Sequence, residues 1–158
     1  LPIITIRPFN TFGPRQSLRA IIPTIISQAI ENEKIRLGNT KPRRDFLFVK
    51  DTIRGFIQLG KCDEAIGKVV NVGAGTDISI KELVHQIFSL MSKKGKIEVE
   101  DRRIRPEKSE VMQLLSDIRL AKKLFNWAPQ YTLEEGLGET IEWYRKNLSR
   151  FKVGSYPL

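Results

Sequence analysis

Arginine dominates the residues that could do chemistry. Arg43-Arg44, and Arg103 with Arg105, lie in turn-rich segments, each beside a proline (Pro42, Pro106) that restricts the backbone. A guanidinium is a planar fork that grips phosphate oxygens two at a time, and loops bring such forks together from distant parts of a chain. Asn10, just past a strand-like run, adds an amide to the set. The pattern points to a phosphorylated ligand; the plainer alternative is a set of solvated surface cations. Net charge leans the same way, because 27 Lys and Arg against 18 Asp and Glu leave +9, which suits a polyanionic partner. A nucleic acid would ask for aromatic rings interleaved with the basic residues. Phe46, Phe48, Phe56, Phe88 and Phe125 occupy core-like positions instead, so a small phosphorylated molecule is the expected partner and nucleic acid is not.

Other chemistries find little support. The one histidine, His85, lies mid-helix beside an apolar stripe, which leaves no Ser–His–Asp or Cys–His arrangement and too few ligands for zinc. Cys62, the one cysteine, makes no internal disulfide and reads as an incidental thiol in a reduced compartment. Gly73-Ala74-Gly75 follows a strand and precedes a helix, but the third glycine of a dinucleotide loop is missing, so the segment reads as a turn. No apolar run approaches the ~20 residues of a membrane span. The first residues lack the basic start and long apolar stretch of a signal peptide, and a cytoplasmic protein is expected.

The elements that must position these residues alternate in type. A chain of 158 residues buries roughly 70% of its unfolded surface, enough for one unit over residues 1–158 with a frayed tail at 151–158. Hydrophobic residues at 41% and charged residues at 28% match a globular domain. Ile3 to Arg7 predicts a strand buried on both faces, followed by a loop from Asn10 to Ser17 and a helix over 22–30 with Pro23 in its first turn. Further strands are expected at 35–37, 46–49, 69–72 and 97–99. Asp51 is the expected N-cap of a helix reaching Cys62. Ser79 with Glu82 spells a capping box for a helix that closes at Lys93-Lys94-Gly95, and Thr132 with Glu135 spells a second box for the last helix. Asp117 is the expected cap of a short helix ending at Asn126-Trp127-Ala128-Pro129. Strands alternating with helices make the class α/β with short parallel strands.

Read together and in order, these segments resemble a known family. Arg7-Pro8-Phe9-Asn10-Thr11-Phe12-Gly13-Pro14-Arg15-Gln16, Ile22-Pro23, Leu37-Gly38, Arg43-Arg44-Asp45-Phe46 and Val49-Lys50-Asp51 are similar to the extended short-chain dehydrogenases/reductases, the NAD-dependent epimerases and dehydratases. Val70-Asn71-Val72-Gly73, Arg105-Pro106, Asp117 to Lys122, Trp127-Ala128-Pro129 and Thr132 to Leu137 continue the likeness in the same order. It covers essentially the whole chain and is nearest to sugar-nucleotide 4,6-dehydratases of the UDP- or GDP-N-acetylglucosamine type, with 4-epimerases next. A non-catalytic nucleotide or nucleic-acid binding module is the alternative of another class.

The likeness is to the second half of that family, with its last Rossmann strands. The family's glycine-rich turn for NAD and its Tyr-x-x-x-Lys are not in the sequence: neither Tyr131 nor Tyr144 has a lysine four residues on, and Tyr156 is too close to the last residue to have one. The resemblance therefore implies an NAD-dependent parent, itself a homodimer, whose cofactor is bound mainly elsewhere, and no activity from these 158 residues alone. Carried over by position, it implies Asn10, Arg44 and Arg105 as holders of the substrate's diphosphate and Arg19, Ala20 and Ile21 as the nucleotide-contacting stretch. Ile35 and Leu37 mark the strand that packs on the base, and Pro8 lies near the nicotinamide. Pro106-Glu107-Lys108 departs from the Gly-Asp that often follows the second arginine.

Overall fold

A computed structural model describes residues 1–100, 103 and 109–150. Arg105, most of the basic loop 101–108 and the tail 151–158 lie outside the described residues. The chain forms two compact units, each built from separate stretches: residues 1–12, 43–78 and 113–133 in the first, and 13–42, 79–112 and 134–158 in the second.

In the first unit, β1 (Thr5–Pro8) runs parallel to β6 (Val69–Val72), with Thr5 opposite Val69 and Pro8 opposite Val72. Val70 and Val72 turn to the core, where Leu59 of α2 (Val49–Gly60) and Ala121 of α4 (Arg119–Phe125) join Leu47, Ile118 and Trp127 in one cluster. Ile4 and Ile6 pack against that cluster. The expectation of a strand buried on both faces does not hold: Thr5, Arg7 and Pro8 are exposed and Ile3 is 59% exposed. The reason is local, since β6 is β1's one strand neighbour among the described residues and the helices cover a single face. Two further parallel ladders are only two residues long, β2 (Thr11–Phe12) on β5 (Leu47–Phe48) and β4 (Arg43–Arg44) on β9 (Gln113–Leu114), and β4 is the middle strand of its sheet, with β7 (Ile78–Ser79) as its other neighbour. Phe46 and Phe48 are buried as expected, but Phe56 is 48% exposed, on the outer side of α2 beside Ile53 and Ile57.

Two helix starts in this unit differ from expectation. Phe48, in extended conformation, is the N-cap of α2; Asp51 is a turn further in, fully buried, and its carboxylate accepts the backbone N–H groups of Gln130 (2.9 Å) and Tyr131 (3.0 Å). Arg54 closes this clasp: it donates to Asp51 at 2.9 Å, also donates to the Ala128 carbonyl, and stacks on Trp127 at 4.6 Å. A buried carboxylate needs such a full set of donors, and a helix-end role would leave it short of them. Ile118 precedes α4, and Asp117 takes the Arg119 N–H at 3.0 Å from one residue outside the cap. Asn126 ends that helix in the left-handed conformation, φ 52°.

In the second unit, α1 (Ile21–Glu31) and α3 (Ile80–Leu90) pack on each other, and α1 also packs on β3 (Lys34–Leu37). β3 runs parallel to β8 (Lys96–Val99). Ser79 and Glu82 form the expected capping box, with the Ser79 hydroxyl accepting the Glu82 N–H at 3.2 Å and the Glu82 carboxylate accepting the Ser79 N–H at 2.9 Å. The end of α3 differs. It stops at Leu90, and Lys93 reaches the last carbonyls of α1 instead, donating to Ala29 at 2.6 Å and Ile30 at 2.8 Å. Gly95 does not cap either: a Cβ there would collide with the Phe88 ring and come 2.7 Å from the Glu33 carbonyl. Leu137, Ile141 and Tyr144 form the buried stripe of α5 (Leu133–Asn147), whose Tyr144 hydroxyl donates to the Gln16 carbonyl.

Candidate functional site

Two of the residues expected to meet a diphosphate, Asn10 and Arg44, are linked through the backbone of one residue, Asp45. Asp45 follows Arg44 directly and is fully buried. Its carbonyl accepts the Asn10 side-chain amide at 2.8 Å, and its N–H donates to the Leu114 carbonyl at 2.9 Å. Its side chain then draws in two more segments. One oxygen accepts the Ala74 N–H at 2.8 Å; the other accepts the N–H groups of Gly75 at 3.0 Å and Ser116 at 3.2 Å, and the Ser116 hydroxyl. Burying a carboxylate is costly unless it is hydrogen-bonded on all sides, and here four donors converge on it.

This arrangement explains the Gly73-Ala74-Gly75 turn. Successive backbone N–H groups in such a turn form a concave nest for an anion, and the anion in it is the chain's own Asp45. Gly73 is required there, because a Cβ would lie 2.6 Å from Ser116 Cβ and 2.9 Å from the nearer Asp45 oxygen. Gly75 has φ +75°, the left-handed region that glycine enters without strain. The expectation of a turn rather than a dinucleotide loop agrees with this geometry.

The paired arginines divide their work. Arg43 donates through Nε to Asp77 at 2.7 Å and through Nη2 to the Asp77 carbonyl at 3.2 Å. Gln113 donates to the same carboxylate at 2.5 Å, and these partners, Gln113 first and Arg43 second, hold Asp77 below the usual carboxylate range. Arg43 is thus a strut between β4 and the segment before α3. Arg44 is half-buried and anchored by Nη1 to the Arg43 carbonyl at 2.9 Å.

The remaining expected residues fall as follows. Pro8 is exposed at the carboxyl end of β1, where ligands of parallel α/β sheets bind; the Phe9 N–H beyond it is held by the Val72 carbonyl at 2.9 Å. In the second unit Arg19 is exposed, its N–H on the Ser17 hydroxyl at 3.3 Å, and Ala20 and Ile21 are the N-cap and first residue of α1. Ile35 and Leu37 are buried at 0% and 3%, so the solvent face of β3 is Lys34 and Arg36. Arg105 lies outside the described residues. Residue reasoning missed Asp45, Ser116 and the clasp of Asp51. The available signal was an aspartate entering the apolar run Phe46-Leu47-Phe48, where an unpaired carboxylate could not survive.

Among the described residues, Pro8 is the one that the resemblance sets beside NAD. Pro8 offers an exposed apolar wall, whereas the Ala74 and Gly75 N–H groups that could have cradled a pyrophosphate are engaged by Asp45. Among the described residues no three His, Cys, Asp or Glu side chains are grouped to hold a metal ion, and no helix is long and apolar enough to cross a membrane.

Comparison with known proteins bears on the family and the fold. The profile of the GDP-mannose 4,6 dehydratase family matches residues 1–140. UDP-glucuronate 4-epimerase of Thermodesulfobacterium geofontis is 32% identical over 155 residues, covering 96% of this chain and 46% of that protein. UDP-glucuronic acid decarboxylase 1 of Xenopus tropicalis is 32% identical over 153 residues, covering 95% and 35%. In the solved dTDP-glucose 4,6-dehydratase of Bacillus anthracis, in complex with NAD, 94% of this chain superposes on 46% of that one with a TM-score of 0.84 and 32% identity. The chain spans half or less of the length of the curated relatives it matches. By its matched profile, its ordered motifs and its Rossmann-like parallel α/β architecture, the chain belongs to the NAD-dependent epimerase/dehydratase family of extended short-chain dehydrogenases/reductases.

Proposed function

We propose that this chain is the substrate-binding part of an NAD-dependent sugar-nucleotide 4,6-dehydratase. The reaction is oxidation at C4 of the sugar, loss of water across C5–C6 and reduction at C6; NAD, when bound, supplies the acceptance and return of hydride. The chain's own residues hold the substrate. Asn10 and Arg44 engage the diphosphate, with Arg105 as the second guanidinium, and Arg19, Ala20 and Ile21 meet the nucleotide. Ile35 and Leu37 form the strand behind the base, and Pro8 walls the nicotinamide side. A UDP- or GDP-sugar is the substrate class, and the parent is a homodimer.

The observation that supports this reading is the hydrogen bond from the Asn10 amide to the carbonyl of Asp45, the residue that follows Arg44. A 4-epimerase is the second reading, favoured by the 32% identity to a UDP-glucuronate 4-epimerase.

The test is product mass. The full-length protein is incubated with NAD and, in turn, UDP-N-acetylglucosamine, GDP-mannose, dTDP-glucose and UDP-glucuronate. Loss of one water supports the dehydratase. An unchanged mass with inverted C4 supports the epimerase, and loss of carbon dioxide overturns both. Residues 1–158 alone are expected to turn over none of the four, and any product from them would refute the division of labour proposed here.

A further inference from the structure

The geometry points to Asp45 as a positioning residue for diphosphate recognition, an inference that rests on the substrate reading above. Asp45 touches no substrate in this account; it acts through what it fixes. Three segments end on it: the Asn10 amide on its carbonyl, the Gly73–Gly75 turn on its carboxylate, and Ser116, which follows β9, on the same carboxylate. Arg44 is the residue before it, in a β4 strand that lies between β7 and β9, and the anchored carboxylate adds a further hold on its backbone. A two-residue ladder is too short to hold a long side chain's origin still. A buried carboxylate with four donors does so, because every displacement of β4 would strip hydrogen bonds from a charge with no water to replace them.

Among the described residues the carboxylate has no partner of opposite charge. Its acceptor sites are filled by backbone and by one hydroxyl, not by a cation, and Arg43 pairs with Asp77 instead. Gly73 leaves the space this packing needs. An amide at position 45 would keep the volume and lose the fit, since its NH2 would face the backbone donors.

The experiment is a double-mutant cycle read by UDP and UMP affinity in the full-length protein. Arg44→Ala is expected to weaken UDP binding about tenfold or more. Asp45→Asn is expected to weaken UDP by about tenfold and UMP by much less, and Asp45→Asn with Arg44→Ala to lose little beyond Arg44→Ala alone. Ser116→Ala removes one donor and is the milder partner of the same cycle should Asp45→Asn not fold; its loss is smaller and likewise vanishes in the Arg44→Ala background. A purely structural Asp45 would lower the melting temperature while leaving the UDP-to-UMP affinity ratio as in the parent, or would add independently to Arg44→Ala; either result overturns the proposal. If Arg44→Ala itself leaves UDP affinity unchanged, the diphosphate reading fails before Asp45 is at issue.

Discussion

The indole N–H of Trp127 donates to the carbonyl of Gly73 at 2.9 Å, across 54 residues of chain, and both partners are buried. The bond ties the segment after α4 to the turn that cradles Asp45. One face of the same indole carries Arg54, and a Cβ at Gly55 would press 3.2 Å from its ring. Trp127 is therefore a keystone of the first unit, packed on α2 and bonded to the turn after β6.

Trp127→Phe keeps most of the apolar area and orphans the Gly73 carbonyl, so it should destabilise by about 1–3 kcal/mol. Trp127→Ala adds a cavity and should cost about 3–5 kcal/mol. Urea unfolding followed by far-UV circular dichroism checks both. Equal stability of parent and Trp127→Phe would show that water reaches the carbonyl.

Arg43 and Arg44 are neighbours with opposite expected phenotypes. Arg44→Ala should weaken UDP-sugar binding by about 1.5–3 kcal/mol, the range for hydrogen bonds to a charged group. Arg43→Ala should act on stability, because its partner is Asp77, and should leave ligand affinity within twofold of the parent. Calorimetric titration with UDP, beside thermal melts of each variant, separates them; a larger affinity loss in Arg43→Ala would reverse the assignment.

Ser79→Ala removes the oxygen that accepts the Glu82 N–H at the start of α3. The loss should be about 1 kcal/mol, with Ser79→Asn close to neutral because asparagine caps as well. Denaturant midpoints of the two variants are the measurement, and equal loss in both would show that the hydroxyl is not what holds the end.

Acid should unfold the first unit partly through Asp77 and Asp117. Gln113 and Arg43 lower the Asp77 value, and the Arg119 fork brings Asp117 to about 2. For a carboxyl lowered in the folded state, the unfolded chain binds more protons between the two values, so stability rises with pH there. The contribution is complete above the ordinary value of 3.8 and fades below it, for Asp117 over the interval down to about 2. Asp77→Asn should lose stability near neutrality and converge on the parent as the acid limb is descended. Parallel stability curves down to pH 2 would exclude this linkage.

A cationic surface meeting a nucleic acid and a pair of side chains meeting one diphosphate respond differently to salt. Raising the salt from 50 to 200 mM should weaken UDP binding only mildly, whereas a chain making 6–10 phosphate contacts would lose roughly 10³–10⁵ in affinity. A steep dependence would favour the binding-module reading.

The sequence by itself determined the periodic elements and the family. Val69–Val72, the Ser79–Glu82 box and the stripes of α1, α3 and α5 were legible because each is written in neighbouring residues, at spacings that the helix and strand repeats fix. The ordered motifs carried the resemblance in the same way. Tertiary structure alone decided where the buried carboxylates go. Asp51 looks like a cap because it precedes a helical pattern, and it became a clasp for Gln130 and Tyr131 because burial demanded donors from 79 and 80 residues away. Asp45 followed the same rule with Ala74, Gly75 and Ser116. Strands two residues long carry no period, so β4 read as a loop. Local pattern is set by the backbone's repeat, but the satisfaction of a buried charge depends on whatever folding brings beside it.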